Sequence, residues 1–246
     1  MNKFYLTLSL CLGLFISQAQ WTPQATGILP TGYSITSICV VNANTAWVVA
    51  NDLAKYQAHN AAGNLIKVLV TSNGGSSWIT HNVVSDFLGV DVAALDANNA
   101  YVTVNDFGVN QSLFKTTDGG TSWIQVSPSP GAGTGSIVRY FNPSDVMLFN
   151  NGAIKISNNG GSTWQGPAVG PSFLGNESVV FDNAHNGLQA LGNRAWFGTN
   201  NHRIFRSMDK GNTWNVATVQ SMPVNSVIQT IAFVDSMHGL AVASLL

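Results

Sequence analysis

Short apolar runs alternate with polar turns along the whole chain, and one pattern of hydrophobic and polar positions recurs five times. Residues 40–47 read V-V-N-A-N-T-A-W and residues 94–101 read A-L-D-A-N-N-A-Y. Residues 140–147, 181–188 and 233–240 follow the same form: an apolar strand end, an Asn or Asp, a few small or polar residues, then a small or apolar residue and a large apolar one. The Asx side chain accepts a nearby backbone N–H and so turns the chain. Each copy is predicted to be strand, turn, strand. No segment sustains an apolar period of 3.6, so almost no helix is expected.

A second element follows each of the first four turns. Residues 71–78 read T-S-N-G-G-S-S-W, 116–123 T-T-D-G-G-T-S-W, 157–164 S-N-N-G-G-S-T-W and 207–214 S-M-D-K-G-N-T-W, so the closing Trp recurs about every 45 residues. Asp or Asn is expected to accept an N–H two residues on. The glycine shared by all four copies supplies positive φ. The Trp ring can bury its body between neighbouring sheets while its N–H finds a local acceptor. Asn73, Gly75 and Trp78, Asp118, Gly120 and Trp123, Asn159, Gly161 and Trp164, and Asp209, Gly211 and Trp214 are therefore assigned structural roles.

Joined together, one repeat reads strand A, Asx turn, strand B, variable loop, strand C, box turn, strand D. Four strands in about 45 residues make a propeller blade. The expected fold is an all-β propeller of four-stranded blades, with four full repeats and a partial fifth beginning at Thr230, a fragment of a longer array. Trp21 resembles a lone strand D that could complete the fifth blade.

The box resembles the Asp-box, or bacterial neuraminidase repeat, of sialidases, sortilin-type receptors, some endoglucanases and photosystem II assembly factors. That resemblance implies a β-propeller in which the boxes are structural and lie away from any active centre. Over most of the chain the pattern is similar in style to photosystem II assembly-factor-like propellers of secreted bacterial proteins, and these relatives are mostly non-catalytic.

Residues 1–19 read as a secretory signal peptide: Lys3 in a positive start, an apolar stretch from Phe4 to Ile16, and Ser17 and Ala19 placed for cleavage. The apolar stretch is short for a membrane span. The propeller is assigned to 20–246, secreted, at the cell surface or periplasmic, with no integral membrane segment after cleavage. Removal of Cys11 leaves Cys39 in an apolar run, which reads as a small buried hydrophobe. Charged residues are 9% of the chain, well below the usual share of about 25%, and net charge is −1. Nothing global therefore attracts nucleic acid or an anionic membrane. The five His have no ligand spacing, and neither a metal nor a cofactor is expected.

In such blades the A–B and C–D turns share one face, and the B–C and D–A loops share the other. The B–C loops are assigned to 51–64, 105–112 and 193–203, and the D–A loops include 127–135, 167–177 and 220–225. Function concentrates on loops over a rigid scaffold. Tyr56, His59, Phe107, Arg194, Trp196, Phe197, His202 and Arg203 are the candidate binding residues for a protein or carbohydrate ligand. Asp52 and Asp106 stand at equivalent repeat positions and are the weak catalytic candidates, with a turn role as the plainer reading. A sialidase would need three arginines converging on a carboxylate. The chain has four, three of them within one repeat, and one glutamate, Glu177. An endoglucanase would need two spaced carboxylates. The expectation is an exported, non-catalytic binding or assembly module, with a glycoside hydrolase as the alternative.

Overall fold

The computed structural model describes the chain except for residues 1–22, 58–62, 64, 107–109, 133–135, 151–152, 180–186, 221, 224–225 and 246. The expected signal peptide and Trp21 lie outside the described residues.

Five antiparallel sheets follow one another, each in simple chain order. The first holds β1 (Tyr33–Val40), β2 (Ala46–Asp52), β3 (Ile66–Thr71) and β4 (Ile79–His81), with a single short helix, α1 (Leu53–Gln57), between β2 and β3. The second holds β5 (Leu88–Ala94), β6 (Ala100–Asn105), β7 (Asn110–Thr116) and β8 (Ile124–Ala132). The third holds β9 (Ser136–Tyr140), β10 (Val146–Asn150) and β11 (Ala153–Ser157), and a lone Ile156–Gln165 bridge stands where a fourth strand is expected. The fourth holds β12 (Leu188–Leu191), β13 (Arg194–Gly198), β14 (Arg203–Ser207) and β15 (Asn215–Thr218). The fifth is the pair β16 (Ser226–Phe233) and β17 (Gly239–Leu245). This is an all-β propeller whose first strands, β1, β5, β9, β12 and β16, surround a common cavity.

The core lies between blades. Trp47, Val49 and Val68 of the first sheet meet Val92, Val102 and Phe114 of the second. Tyr101 and Leu113 meet Val138 and Leu148, Phe149 meets Phe197 and Phe205, and Trp196 meets Ile228 and Ile231. Alternation on each strand explains this layering, because one side chain set points to the preceding blade and the other to the next.

The boxes build the turns that hold each blade. In the second, the Thr116 hydroxyl accepts the Gly120 N–H at 3.0 Å, and the Asp118 carboxylate accepts the Ser122 N–H at 2.9 Å and the Ser122 hydroxyl at 2.6 Å. Asn73, Asn159 and Asp209 take the same part, each accepting an N–H four residues on rather than the expected two. The Asx turns between strands A and B do accept two residues on, at Asn42, Asp96, Asn142 and Asp235. Each box is fastened to the A–B turn of its own blade by one backbone bond: Gly74 to Asn44, Gly119 to Asn98, Gly160 to Ser144 and Lys210 to Asn193. The Trp123, Trp164 and Trp214 indoles donate to the box glycine carbonyls of Gly120, Gly161 and Gly211 at 2.9–3.0 Å.

The fourth repeat corrects its expected register. Leu188 begins strand A, not strand B, and the A–B turn is the two-residue Gly192-Asn193. Residues 181–186 of the expected turn lie outside the described residues. The second D–A loop is also shorter than expected, because β8 runs on to Ala132.

Candidate functional site

The loop face is held by its carboxylates. Asp52 ends β2 and caps α1, accepting the Lys55 N–H at 3.1 Å. Asp106 closes its own B–C turn, accepting the Asn110 amide N–H and, at 2.7 Å, the Asn110 side chain. Asp86 accepts the Gly63 N–H at 3.0 Å and ties a B–C loop to the following D–A loop. Glu177 accepts the Thr199 hydroxyl at 2.6 Å and the Leu174 N–H at 2.9 Å, and forms a buried ion pair with Arg203. Arg203 also reaches the Ser172 carbonyl at 3.2 Å, so residues 172–177 are pinned against the start of β14. Asp52 and Asp106, the weak catalytic candidates, thus each hold a helix start or a turn.

The expected ligand contacts fare differently one from another. Trp196 and Phe197 are not in a loop. They lie within β13, 2% and 0% exposed, and pack Phe233 and Phe205 respectively. The expected loop 193–203 shrinks to the turn 199–202, so neither ring can present a contact surface. Arg194 begins β13 beside the Gly192-Asn193 turn, on the box side of its blade. Arg203 is spent on Glu177. His202 does sit in the B–C turn, half-buried at φ 53°. The side chain of Tyr56 and the residues His59 and Phe107 lie outside the described residues. Among the described residues, exposed apolar positions on this face include Leu53 on α1 and Leu174 in the D–A loop.

The central cavity, about 820 Å³, contains features that the repeats hid. Asp91 on β5 is almost fully buried and pairs with Arg139 on β9 at 2.6 Å. It also accepts the Ser37 hydroxyl at 2.8 Å and the Val138 N–H at 3.1 Å. Arg139 donates through Nε to the Leu188 carbonyl at 3.3 Å. One carboxylate and one guanidinium therefore tie β1, β5, β9 and β12 together. Gln189 continues the chain of contacts, exchanging bonds with both the N–H and the carbonyl of Phe233 on β16. Asn51 does the same for Gly89 at 2.8 Å each way. A polar residue set in an otherwise apolar strand, Asp91 in V-D-V-A-A, was the signal that could have located this centre. Cys39 also lines the cavity; burial pushes its thiol pKa up, which disfavours the reactive thiolate.

Among the described residues no three His, Cys, Asp or Glu gather as a metal site, and no helix is long and apolar enough to cross a membrane.

No protein-family model matches this chain, and no curated protein matches it. Solved structures do. YCF48 from Cyanidioschyzon merolae superposes with a TM-score of 0.57 at 16% identity, over 83% of this chain and 61% of that one. The Hadza microbial sialidase Hz136 gives 0.53 at 16% identity, over 81% and 50%. An ancestral GH74 enzyme gives 0.50 at 18% identity, over 80% and 27%. The chain shares the β-propeller fold of these structures. Likeness at this identity concerns the fold and leaves activity open.

Proposed function

We propose that this chain is an exported, non-catalytic propeller that holds a protein ligand on its loop face. The carrying observation is the use of that face's described carboxylates: Asp52, Asp86, Asp106 and Glu177 each accept hydrogen bonds that fix a loop. A face rigid before its ligand arrives loses little entropy on binding. Its exposed Leu53 and Leu174 are aliphatic contacts suited to a protein surface. Export is supported by the signal-peptide pattern of 1–19 and by the sparse charge of the chain.

Glycoside hydrolysis is the second reading, favoured by the fold likeness to a sialidase and a GH74 enzyme. Against it stands the need for two spaced carboxylates with separate roles. The cavity carboxylate Asp91 is committed to Arg139, Ser37 and Val138.

The test is selection of peptide ligands from a displayed library on the immobilised chain, followed by affinity measurement with Leu53→Arg/Leu174→Arg and with Met208→Arg on the box side. The reading expects binding lost in the first variant and kept in the second. Binding unaffected by the loop-face change would overturn the site. Turnover of sialosides or β-glucans that disappears in Asp52→Asn or Asp106→Asn would overturn the non-catalytic reading.

A further inference from the structure

Two of the chain's four Asn-Gly pairs stand in boxes, Asn73-Gly74 and Asn159-Gly160. Asn before Gly is a chemical weak point, because a residue without Cβ leaves its own nitrogen open to approach. The Gly nitrogen, once deprotonated by hydroxide, can bond to the Asn Cγ and expel ammonia. Water then opens the resulting cyclic imide at one carbonyl or the other, giving Asp or its β-linked isomer, isoaspartate. Both sites read Asn-Gly-Gly, so the sequence gives them equal reactivity, and any difference between them belongs to the fold.

The fold guards that nitrogen in both boxes. Gly74 donates its N–H to the Asn44 carbonyl at 2.9 Å, and Gly160 donates to the Ser144 carbonyl at 2.8 Å, so neither can turn on the side chain before it while the bond lasts. The side chain is held as well. The Asn73 amide accepts the Ser77 N–H at 2.9 Å and donates to the Ser77 hydroxyl at 2.8 Å. Asn159 treats Thr163 the same way, at 2.9 and 2.7 Å. Beyond this the two boxes differ. The Gly160 carbonyl also accepts the Tyr101 hydroxyl and the Lys115 ammonium, each at 2.7 Å, from the preceding blade, and the Trp164 indole closes on the Gly161 carbonyl at 3.0 Å. The first box lacks the last of these ties: the Trp78 indole N–H is buried without a partner.

We infer that Asn73 is a deamidation site gated by opening of the first box, and that in the folded chain it converts faster than Asn159. The Gly74–Asn44 bond must break before the nitrogen can turn, and with the indole tie missing that local opening is easier. The Asp product fits the turn. Asp118 and Asp209 fill the same place in their boxes, where the hydroxyl four residues on donates instead of accepting, at 2.6 and 2.7 Å. Isoaspartate does not fit, because it adds a methylene to the main chain between the bond to Asn44 and the bond to Ser77, and the turn cannot keep both. The site lies in a box and uses none of the residues of the loop-face reading.

Incubation of the full chain at mildly alkaline pH tests this, folded and in guanidinium chloride, with conversion read at each Asn by peptide mass spectrometry. Unfolded, Asn73 and Asn159 should convert at the same rate. Folded, both should slow on the order of tenfold or more, with Asn73 about threefold or more ahead of Asn159, as local opening of each box dictates. The Gly74 amide should likewise exchange its hydrogen faster than the Gly160 amide. A folded chain in which Asn73 converts no faster than Asn159, or as fast as it does unfolded, overturns the inference. Asn73→Asp should melt with the wild type, whereas aged protein rich in isoaspartate at this position should melt lower. An Asn73→Asp chain that melts well below the wild type would overturn the fit of the product.

Discussion

Trp196 stacks face to face on Phe233, with ring centroids 4.4 Å apart and planes 8° apart, across the boundary between the fourth and fifth sheets. The contact gives Trp196 a packing role in place of a ligand role. Trp196→Ala should cost about 3–5 kcal/mol in denaturant melts, as for other buried large aromatics. A double-mutant cycle with Phe233→Ala should show coupling of about 0.5–1.5 kcal/mol. Coupling near zero would mean that the two blades do not hold each other through these rings.

Asn51 acts as a strand extender for the next blade, because its amide serves both the N–H and the carbonyl of Gly89. Asn51→Leu keeps the approximate volume and orphans both groups. Each orphaned buried group costs about 1–3 kcal/mol. Near pH 7 Asn51→Asp should cost more than Asn51→Leu, because it buries a charge and turns a carboxylate oxygen on the Gly89 carbonyl. Equal effects, measured by denaturant melts, would count against the paired role.

Gly161 is required twice. Its φ is +83°, and a Cβ there would stand 2.1 Å from the Tyr101 hydroxyl, which is held on the Gly160 carbonyl. Gly161→Ala should destabilise by about 1–3 kcal/mol through strain and overpacking. Gly166→Ala, five residues on, meets nothing within 4 Å and should be near neutral. Thermal melts of the two variants compare them directly.

Stability should depend on acid through the boxes. The Ser122 hydroxyl and N–H, with the Thr116 hydroxyl, hold the Asp118 carboxyl down at about 2, against an ordinary value of 3.8. A depressed carboxylate contributes stability that is fully present above its unfolded pKa and lost as pH falls through the folded one. The stability difference between the wild type and Asp118→Asn should therefore be flat from neutral pH down to about 4–5, then narrow toward pH 2. Two other boxes carry Asn at this place, Asn73 and Asn159, so the variant keeps the turn. A difference that does not change with pH would contradict the assignment.

Much of this architecture was readable because turn chemistry is local. Gly120 with Asp118, or Gly161 with Asn159, declares its turn within eight residues. The fourth blade departs from the local pattern for the same reason. Residues 181–188 imitate the Asx turn, while the true turn, Gly192-Asn193, is shorter than its counterparts and shows its identity only through pairing with β14 and the Lys210 bond. That imitation shifts the expected register and puts Trp196 in a loop instead of in β13. The Asp91–Arg139 pair joins residues 48 positions apart, on two inner strands that only the side-by-side packing of blades brings together. Arg203 and Glu177 are likewise 26 positions apart, and no local pattern couples them. The roles of Asp52 and Asp106 as cap and turn were legible, because Asx chemistry acts within four residues.

The measurement that tests the central claim most directly is binding of a library-selected peptide by calorimetry, with the wild type, Leu53→Arg/Leu174→Arg and Met208→Arg compared in parallel. A rigid loop face predicts that the double change removes binding, that the box-side change leaves it intact, and that all three proteins melt alike. Retained binding in Leu53→Arg/Leu174→Arg, or loss in Met208→Arg with the fold intact, would contradict the account.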